Sequence, residues 1–353
     1  MQDSVWLYRI YDISDEFNLS EVESLLAREK PTGRMRLTRV RPKSIHIENP
    51  PVAVELGKEK INLAGREFTG VMYAKIFGLG VVSLTLRLAV PAGFDYEELK
   101  KLSIYLYTTE ELEPLFQGHL HTLSQVLANI IIPTKREGFI EDFTLFYFRH
   151  WDHSHDPVPL LLAENEPVSQ QVRDDTLKNS FSFGSGDLAI ITWDTALVYD
   201  AEGSTDVPDL IEFALTQLLE LRYYDGLLSE ELDVIYDSIE EADRAGFYFR
   251  LSDYRKITRK LLRMVADVTE LTEKIQNSIK VTEDVFYARV YGAALSIFRT
   301  QSWSNSIQHK ISVIRDTYDM LSGEIYNQRS LLVELAIVFL IVLEIVLGLL
   351  RLL

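Results

Sequence analysis

Five of the seven histidines in this 353-residue chain fall in two short clusters, His119-Leu-His121 and His150-Trp-Asp152-His153-Ser-His155-Asp156. Imidazole and carboxylate are common ligands of Zn²⁺ and related divalent ions. The second run therefore offers His150, Asp152, His153, His155 and Asp156 as candidate metal ligands and their hydrogen-bonding neighbours. Its spacing matches no zinc signature such as HExxH. A polar loop after a strand over 143–148 accounts for the same residues without any chemistry.

Other reactive patterns are thinner. Gly78-Leu-Gly80 is half of a dinucleotide fingerprint, and it leads into a strand instead of following one into a helix. Ser185 in Gly184-Ser-Gly186 also leads into a strand and lacks the G-x-S-x-G elbow of a nucleophile. The chain has no cysteine, which removes disulfides, thiolate metal sites and thiol nucleophiles together. No catalytic constellation stands out and no cofactor is expected.

Charge sets a second constraint. The formal net charge is −17, so phosphate backbones are repelled at long range and specific nucleic-acid binding is not expected. Two basic stretches run against this balance. Arg34, Arg36, Arg39, Arg41 and Lys43 decorate one, and Arg250, Arg255, Lys256, Arg259, Lys260 and Arg263 crowd the other. Either could meet RNA phosphates or anionic lipid headgroups. Solvated faces paired with the surplus acids explain them without any ligand. Trp193 and the Tyr223-Tyr224 pair read as packing residues.

The element that would place all this at a membrane is the end of the chain. Residues 335–353 read LAIVFLIVLEIVLGLLRLL. A helix of that length rises about 28 Å, close to the hydrocarbon thickness of a bilayer. About fifteen Leu, Ile, Val and Phe residues at roughly −0.4 kcal/mol each give about −6 kcal/mol. Glu344 costs about 3 kcal/mol of that and Arg351 less, because it lies near the end. The sum stays favourable, and a single C-terminal transmembrane anchor over 331–353 is expected. A carboxyl in hydrocarbon is neutral or paired, most simply with another copy of the same helix. Glu334, Glu344 and Arg351 are therefore the candidate oligomer and membrane residues. The opening residues do not form a signal peptide, so the head is expected on the cytoplasmic side.

Upstream of the anchor the pattern is helical from about 206. Ile211, Ala214, Leu215, Leu218 and Leu221 follow at helical spacing, and Gly226 marks a break. Ile257, Leu261, Met264, Val268, Leu271 and Ile275 form a heptad seam. A shorter helix spans 283–300. Ile307, Ile311, Ile314, Tyr318, Leu321, Ile325, Leu332 and Leu335 continue a seam into one helix of about 50 residues. These seams suit an antiparallel hairpin or a three-helix bundle, or pairing between chains.

The first 200 residues read as α+β. Strands are expected over 5–11, 34–41, 80–90, 143–148 and 187–199, and helices over 18–30, 95–102 and 112–131. Residues 152–180, with three prolines, read as a long connecting loop. The fold class is thus a mixed α/β-sheet head (1–200), a helical coiled-coil stalk (206–330) and a transmembrane tail (331–353).

GSGDLAIITWDTALVYD and EFALTQLLELRYYDGLL within 184–228, together with LLVELAIVFLIVLEIVLGLL at the end, resemble the "required for meiotic nuclear division" family. The resemblance covers most of the chain and is specific over 184–240 and 329–350. It implies an α+β N-terminal region, then helices, then a C-terminal membrane helix. Two glutamates ten residues apart in the tail fall on Glu334 and Glu344. Leu335 stands where the family often has Trp, and Leu197-Val198-Tyr199 where it ends a strand in Val-Phe-Trp. Without a mitochondrial targeting segment, a bacterial-type member is the better fit. Eukaryotic members of that family look like inner-mitochondrial-membrane proteins that form homo-oligomers and support organellar translation, and the resemblance carries over no catalytic residues.

The expected function is a non-enzymatic, tail-anchored scaffold or adaptor that homo-oligomerises and holds a protein partner near the bilayer. The alternatives are a metal-dependent enzyme using His150 to Asp156, or an RNA- or lipid-contacting adaptor through Arg250 to Arg263.

Overall fold

The computed structural model describes residues 3–28, 30–39, 45–91, 93–132, 139–244, 247–277, 279–281 and 286–352. In chain order the head runs β1 (Ser4–Asp12), α1 (Leu19–Leu26), β2 (Thr32–Arg34), β3 (Ile45–Ile47), β4 (Val52–Leu63), β5 (Arg66–Ile76), β6 (Val81–Ala89), α2 (Tyr96–Thr108), α3 (Glu113–Leu127) and β7 (Ile140–Phe148). Then come α4 (Pro157–Leu161), α5 (Gln170–Leu177), β8 (Ser180–Phe181), β9 (Asp187–Ile191) and β10 (Thr195–Asp200). The remainder is α6 (Asp206–Arg244), α7 (Phe247–Asn277), β11 (Ile279–Val281), α8 (Phe286–Ile297) and α9 (Thr300–Leu352). The layout is α+β: a nine-stranded mixed sheet and then long helices, the last of them apolar over part of its length.

Two compact units are present: residues 1–223 with 274–303, and residues 224–273 with 304–353. The first thus takes in the start of α6 and all of α8, more of the helical half than the residue pattern assigns to the head.

In the first unit the strand order is β2-β4-β5-β6-β1-β7-β10-β9-β8, with β3 and β11 paired separately. Every neighbouring pair is antiparallel except β7 with β10. Alternation along the strands divides the side chains between two faces. Val5, Leu7, Met72, Ala74, Leu84, Leu86, Phe146 and Leu197 face one side, under Val22 of α1, Leu99 and Leu102 of α2, Phe116 and Leu123 of α3, and Leu160 of α4. Trp6, Tyr8, Ile10, Phe143, Leu145, Tyr147 and Val198 face the other, under Leu210, Phe213, Ala214 and Leu218 of α6 and Val290, Tyr291 and Ala294 of α8.

Several expectations are corrected. The strand placed over 34–41 is shorter and earlier, at Thr32–Arg34, and Arg41 and Lys43 lie outside the described residues. The single strand over 187–199 is two antiparallel strands, turned where Thr192 Oγ1 takes the Thr195 amide at 3.0 Å. The loop over 152–180 contains two helices, capped by Asp156 and Ser169. The β4–β5 hairpin has no counterpart in the expectations. Gly226 does not break a helix, since α6 runs through it. One glycine in a helix costs about 1 kcal/mol, and burial of Leu228, Leu232 and Ile235 downstream outweighs it.

The second unit holds the rest of α6, most of α7 and α9 from Ser304. Leu228, Leu232, Ile235 and Ala242 of α6 are buried, with Tyr254, Ile257, Leu261 and Val268 of α7 and Ile307, Ile311, Ile314 and Leu321 of α9. Lys260 of α7 pairs with Glu231 of α6 at 2.6 Å, and Tyr254 donates to Asp243, so α7 runs back along α6. Lys310 of α9 bonds Asp225 and Ser229 of α6, each at 2.7 Å. The α7 and α9 seams are thus buried in one unit with the second part of α6, whereas the shorter helix expected between them, α8, belongs to the first unit.

Candidate functional site

The feature that most needs a partner is the far part of α9. Helix continuity is consistent with residue choice: no proline falls between 300 and 352, and glycine occurs there only at 323 and 348. The buried seam reaches Gln328, which is 6% exposed. Beyond it the pattern inverts. Leu331, Val333, Leu335, Ile337, Val338, Phe339, Leu340, Ile341 and Val342 are each 51% exposed or more, on every side of the helix. This is the one helix among the described residues long and apolar enough to cross a membrane, and none of its most apolar window is buried within the protein. Exposed apolar area on this scale marks an interaction surface.

Glu334 and Glu344 are exposed within this stretch, and Glu334 accepts a long 3.4 Å contact from Ser330. Glu344 is the charge that interrupts the apolar surface. Arg351, seven residues on, lies at nearly the same angle around the helix axis, by backbone position.

The basic stretches divide. Arg34 is taken up by Glu23 at 2.8 Å and by the Pro50 carbonyl at 3.0 Å. Arg39 pairs with Asp200 and Glu202, each at 2.8 Å, and its backbone amide bonds the buried Asp206 at 2.6 Å. These arginines hold the head together. On α7, Lys256 pairs with Asp253 at 2.8 Å and Lys260 with Glu231, while Arg255 is half-buried. Arg259 and Arg263 are exposed. The side chain of Arg250 lies outside the described residues.

The histidine run is spent on packing. His155 stacks on Tyr96, ring centres 4.6 Å apart, with Trp151 at its edge. His153 meets Tyr199 edge-on at 5.8 Å. Asp152 accepts from the Ser154 amide at 2.9 Å. Asp156 caps α4 and pairs with Arg173 at 2.5 Å. His150 is exposed. Of the other cluster, His119 contacts Glu59 at 3.0 Å and His121 contacts Gln125 at 2.9 Å. No group of three or more potential ligands converges among the described residues, so the metal-site expectation at His150, Asp152, His153, His155 and Asp156 finds no geometry. The dense run of histidine and aspartate serves a helix cap and ring contacts instead.

What sequence reasoning missed is the polar face of the sheet under α6. Lys75 lies opposite Ser83 on β6, and Tyr8 opposite Thr85. Lys75 Nζ meets Asp209 at 2.5 Å and Glu212 at 2.6 Å. Burial alone would push the Lys75 ammonium down, but the two carboxylates outweigh it and hold it above its ordinary value. Burial, then the Glu212 charge, pushes the Tyr8 hydroxyl well up. Arg87 stacks over Trp6 at 3.7 Å and Tyr73 at 4.4 Å. Further along α6, Glu220 is 2% exposed, and burial followed by the charges of Asp12 and Asp15 raises its carboxyl well above the usual range. The available signal was polar residues in step with apolar ones on β5 and β6, facing acids three apart on α6.

A mixed sheet flanked by helices, followed by long helices with an apolar run, defines an α+β protein with a helical extension. Residues 2–205 match the family model described as the N-terminal domain of the uncharacterized protein MJ0711. The chain belongs to that family. It is 28% identical over 222 residues to the uncharacterized protein MJ0711 of Methanocaldococcus jannaschii, a span of 60% of this chain and 67% of that protein. No solved structure matches the chain.

Proposed function

We propose that this protein is a membrane-anchored scaffold whose α+β head is held at a bilayer by the apolar run of α9. The observation that carries this reading is that run itself, exposed on all sides and unburied within the chain. Leaving some thirteen large aliphatic and aromatic side chains in water costs on the order of 1.5–3 kcal/mol each. A bilayer relieves that cost, and the helix length suits it. The test is flotation of the full-length chain with lipid vesicles, followed by alkaline extraction. Co-flotation that survives extraction is the expected result. A chain that stays dispersed in the supernatant without detergent overturns the reading.

Self-association belongs to the same proposal. Glu344 in hydrocarbon needs a hydrogen-bonding partner, and a second copy of α9 supplies one at the same depth. Crosslinking in detergent should give a multimer that Glu344→Leu weakens. A strictly monomeric parent would remove this part. The likeness of 184–240 and 329–350 to the "required for meiotic nuclear division" family suggests a role near translation.

A further inference from the structure

The two faces of β1, β5 and β6 differ in kind. The side under α1, α2 and α3 carries Leu7, Met72, Ala74, Leu84 and Leu86 in an apolar core. Residues paired across neighbouring strands share a face. The other face thus sets Arg87 beside Trp6 and Val71, Thr85 beside Tyr8 and Tyr73, and Ser83 beside Ile10 and Lys75.

Arg87 is half-buried between rings from the strands on either side of β6. Its guanidinium carbon lies 3.7 Å from the centre of Trp6, on β1, and 4.4 Å from that of Tyr73, on β5. Rings packed on the planar faces leave the edge, where the N–H donors point, for hydrogen bonding. That edge is unused. Among the described residues Arg87 makes no ion pair or hydrogen bond, and its buried Nε has no acceptor.

An unpaired arginine is out of character in a chain with a net charge of −17. Arg34, Arg39, Arg173 and Arg222 each meet a carboxylate. The acids on this side of the sheet are committed elsewhere. Asp209 and Glu212 hold Lys75, and Glu55 accepts from the Tyr73 hydroxyl.

A second donor is open beside the first. The Tyr8 side chain is 0% exposed, and its hydroxyl has no hydrogen-bond partner. Burial keeps that hydroxyl protonated, and Arg87 is close enough to act on it against that push. A protonated phenol can donate. Each donor left unsatisfied is a cost that an acceptor placed between them removes.

We propose that Arg87 and Tyr8 bind the carboxylate of a small organic acid, the guanidinium edge holding it and the Tyr8 hydroxyl donating to it. A carboxylate matches the guanidinium fork within its plane. Glu55, Asp209 and Glu212 favour a single negative charge over a phosphate dianion, because they repel the second charge. The site lies wholly in the first unit and does not depend on the membrane anchor.

The test uses the full-length chain in detergent with isotope-labelled arginine. The Arg87 Nε–H signal is identified by its absence from Arg87→Lys. Sodium acetate should shift it downfield to saturation, and sodium chloride at the same ionic strength should leave it in place. Tyr8→Phe should weaken acetate binding roughly tenfold, as loss of one hydrogen bond to a charged group does. Without acetate, Tyr8→Phe should melt no lower than the parent, because it removes an unsatisfied group and no bond. A signal that acetate does not move, or that chloride moves equally, overturns the proposal. Tighter binding of inorganic phosphate than of acetate overturns the carboxylate class. Unchanged acetate binding in Tyr8→Phe, or a lower melting temperature without acetate, removes Tyr8 from the site. Should Arg87→Lys fail to fold, the rise of the parent's melting temperature with acetate decides instead, with Tyr8→Phe needing roughly tenfold more acetate for the same rise. No rise in the parent overturns the proposal.

Discussion

Lys75 Nζ and Glu212 Oε2 sit 2.6 Å apart between the sheet and α6, their side chains 9% and 2% exposed. Asp209 completes the group at 2.5 Å. An ammonium shared by two buried carboxylates is expensive to make and more expensive to break.

Removing the cation alone should be severe. Lys75→Met leaves Asp209 and Glu212 side by side without a counter-charge, and the expected loss is about 3–5 kcal/mol. Urea unfolding of the full-length chain in detergent reads it as a drop in midpoint. Replacing all three residues by Met and Leu should recover most of that loss, because apolar groups of similar volume need no partner. A single variant as stable as the parent would show that the ion pair has no energetic part.

The acidic end of the same layer makes stability depend on pH. Burial first, and the Asp15 charge second, push the Asp12 carboxyl up to about 7, and Glu220 is raised beside it. Both folded values exceed the unfolded ones, about 3.9 for aspartate and about 4.3 for glutamate. The folded state thus binds protons that the unfolded state has released. This contribution is complete below about pH 4 and is lost as pH rises through about 7. Melting temperature should fall between pH 5 and 8, and Asp12→Asn should flatten that fall. Identical slopes for the two proteins would contradict the assignment.

Gly80 is fixed by geometry rather than by chemistry. Its φ is +99°, and an added Cβ would run into the carbonyl of Ser14. Gly80→Ala should cost about 3 kcal/mol or more, since the backbone strain alone is of order 1–3 kcal/mol. Gly93 has a similar φ of +83° with open space around it, so Gly93→Ala should cost only about 1–2 kcal/mol. Equal melting temperatures for the two variants would refute the steric account. Gly80 carried half of a dinucleotide fingerprint in the sequence; in the fold it lets β6 begin beside the turn after β1, where the Ile13 amide bonds its carbonyl at 3.3 Å.

How much of this was legible depends on the range of the signal. The β6 strand and the α7 and α9 seams were readable because period-two and heptad patterns are local, and each sits on an element with one apolar face. The β4–β5 hairpin was not, because Lys58, Glu59 and Lys60 interrupt the alternation on a strand exposed over much of its length. The ionic centre was not, because Lys75 and Asp209 meet across 134 positions, and no local pattern records that pairing. His155 shows the opposite failure. Its neighbours suggested ligands, while the ring that claims it, Tyr96, is far away in sequence.

The proposed anchor predicts a sharp response to charge along α9. With Glu344 present, the apolar run retains an insertion energy of only a few kcal/mol, by the same per-residue scale that credits each aliphatic with roughly 0.3–0.6 kcal/mol. A second charge at the centre, Leu340→Arg, removes a favourable residue and adds about 3 kcal/mol, which nearly cancels what is left. Ser330→Arg, just before the run, falls at the level of the headgroups, where the cation is tolerated. Vesicle flotation should therefore show the Leu340 variant largely in the soluble fraction and the Ser330 variant floating like the parent. Glu344→Leu should float at least as well as the parent, because it deletes the one interior charge. Should Leu340→Arg float undiminished, the attachment must lie elsewhere on the chain.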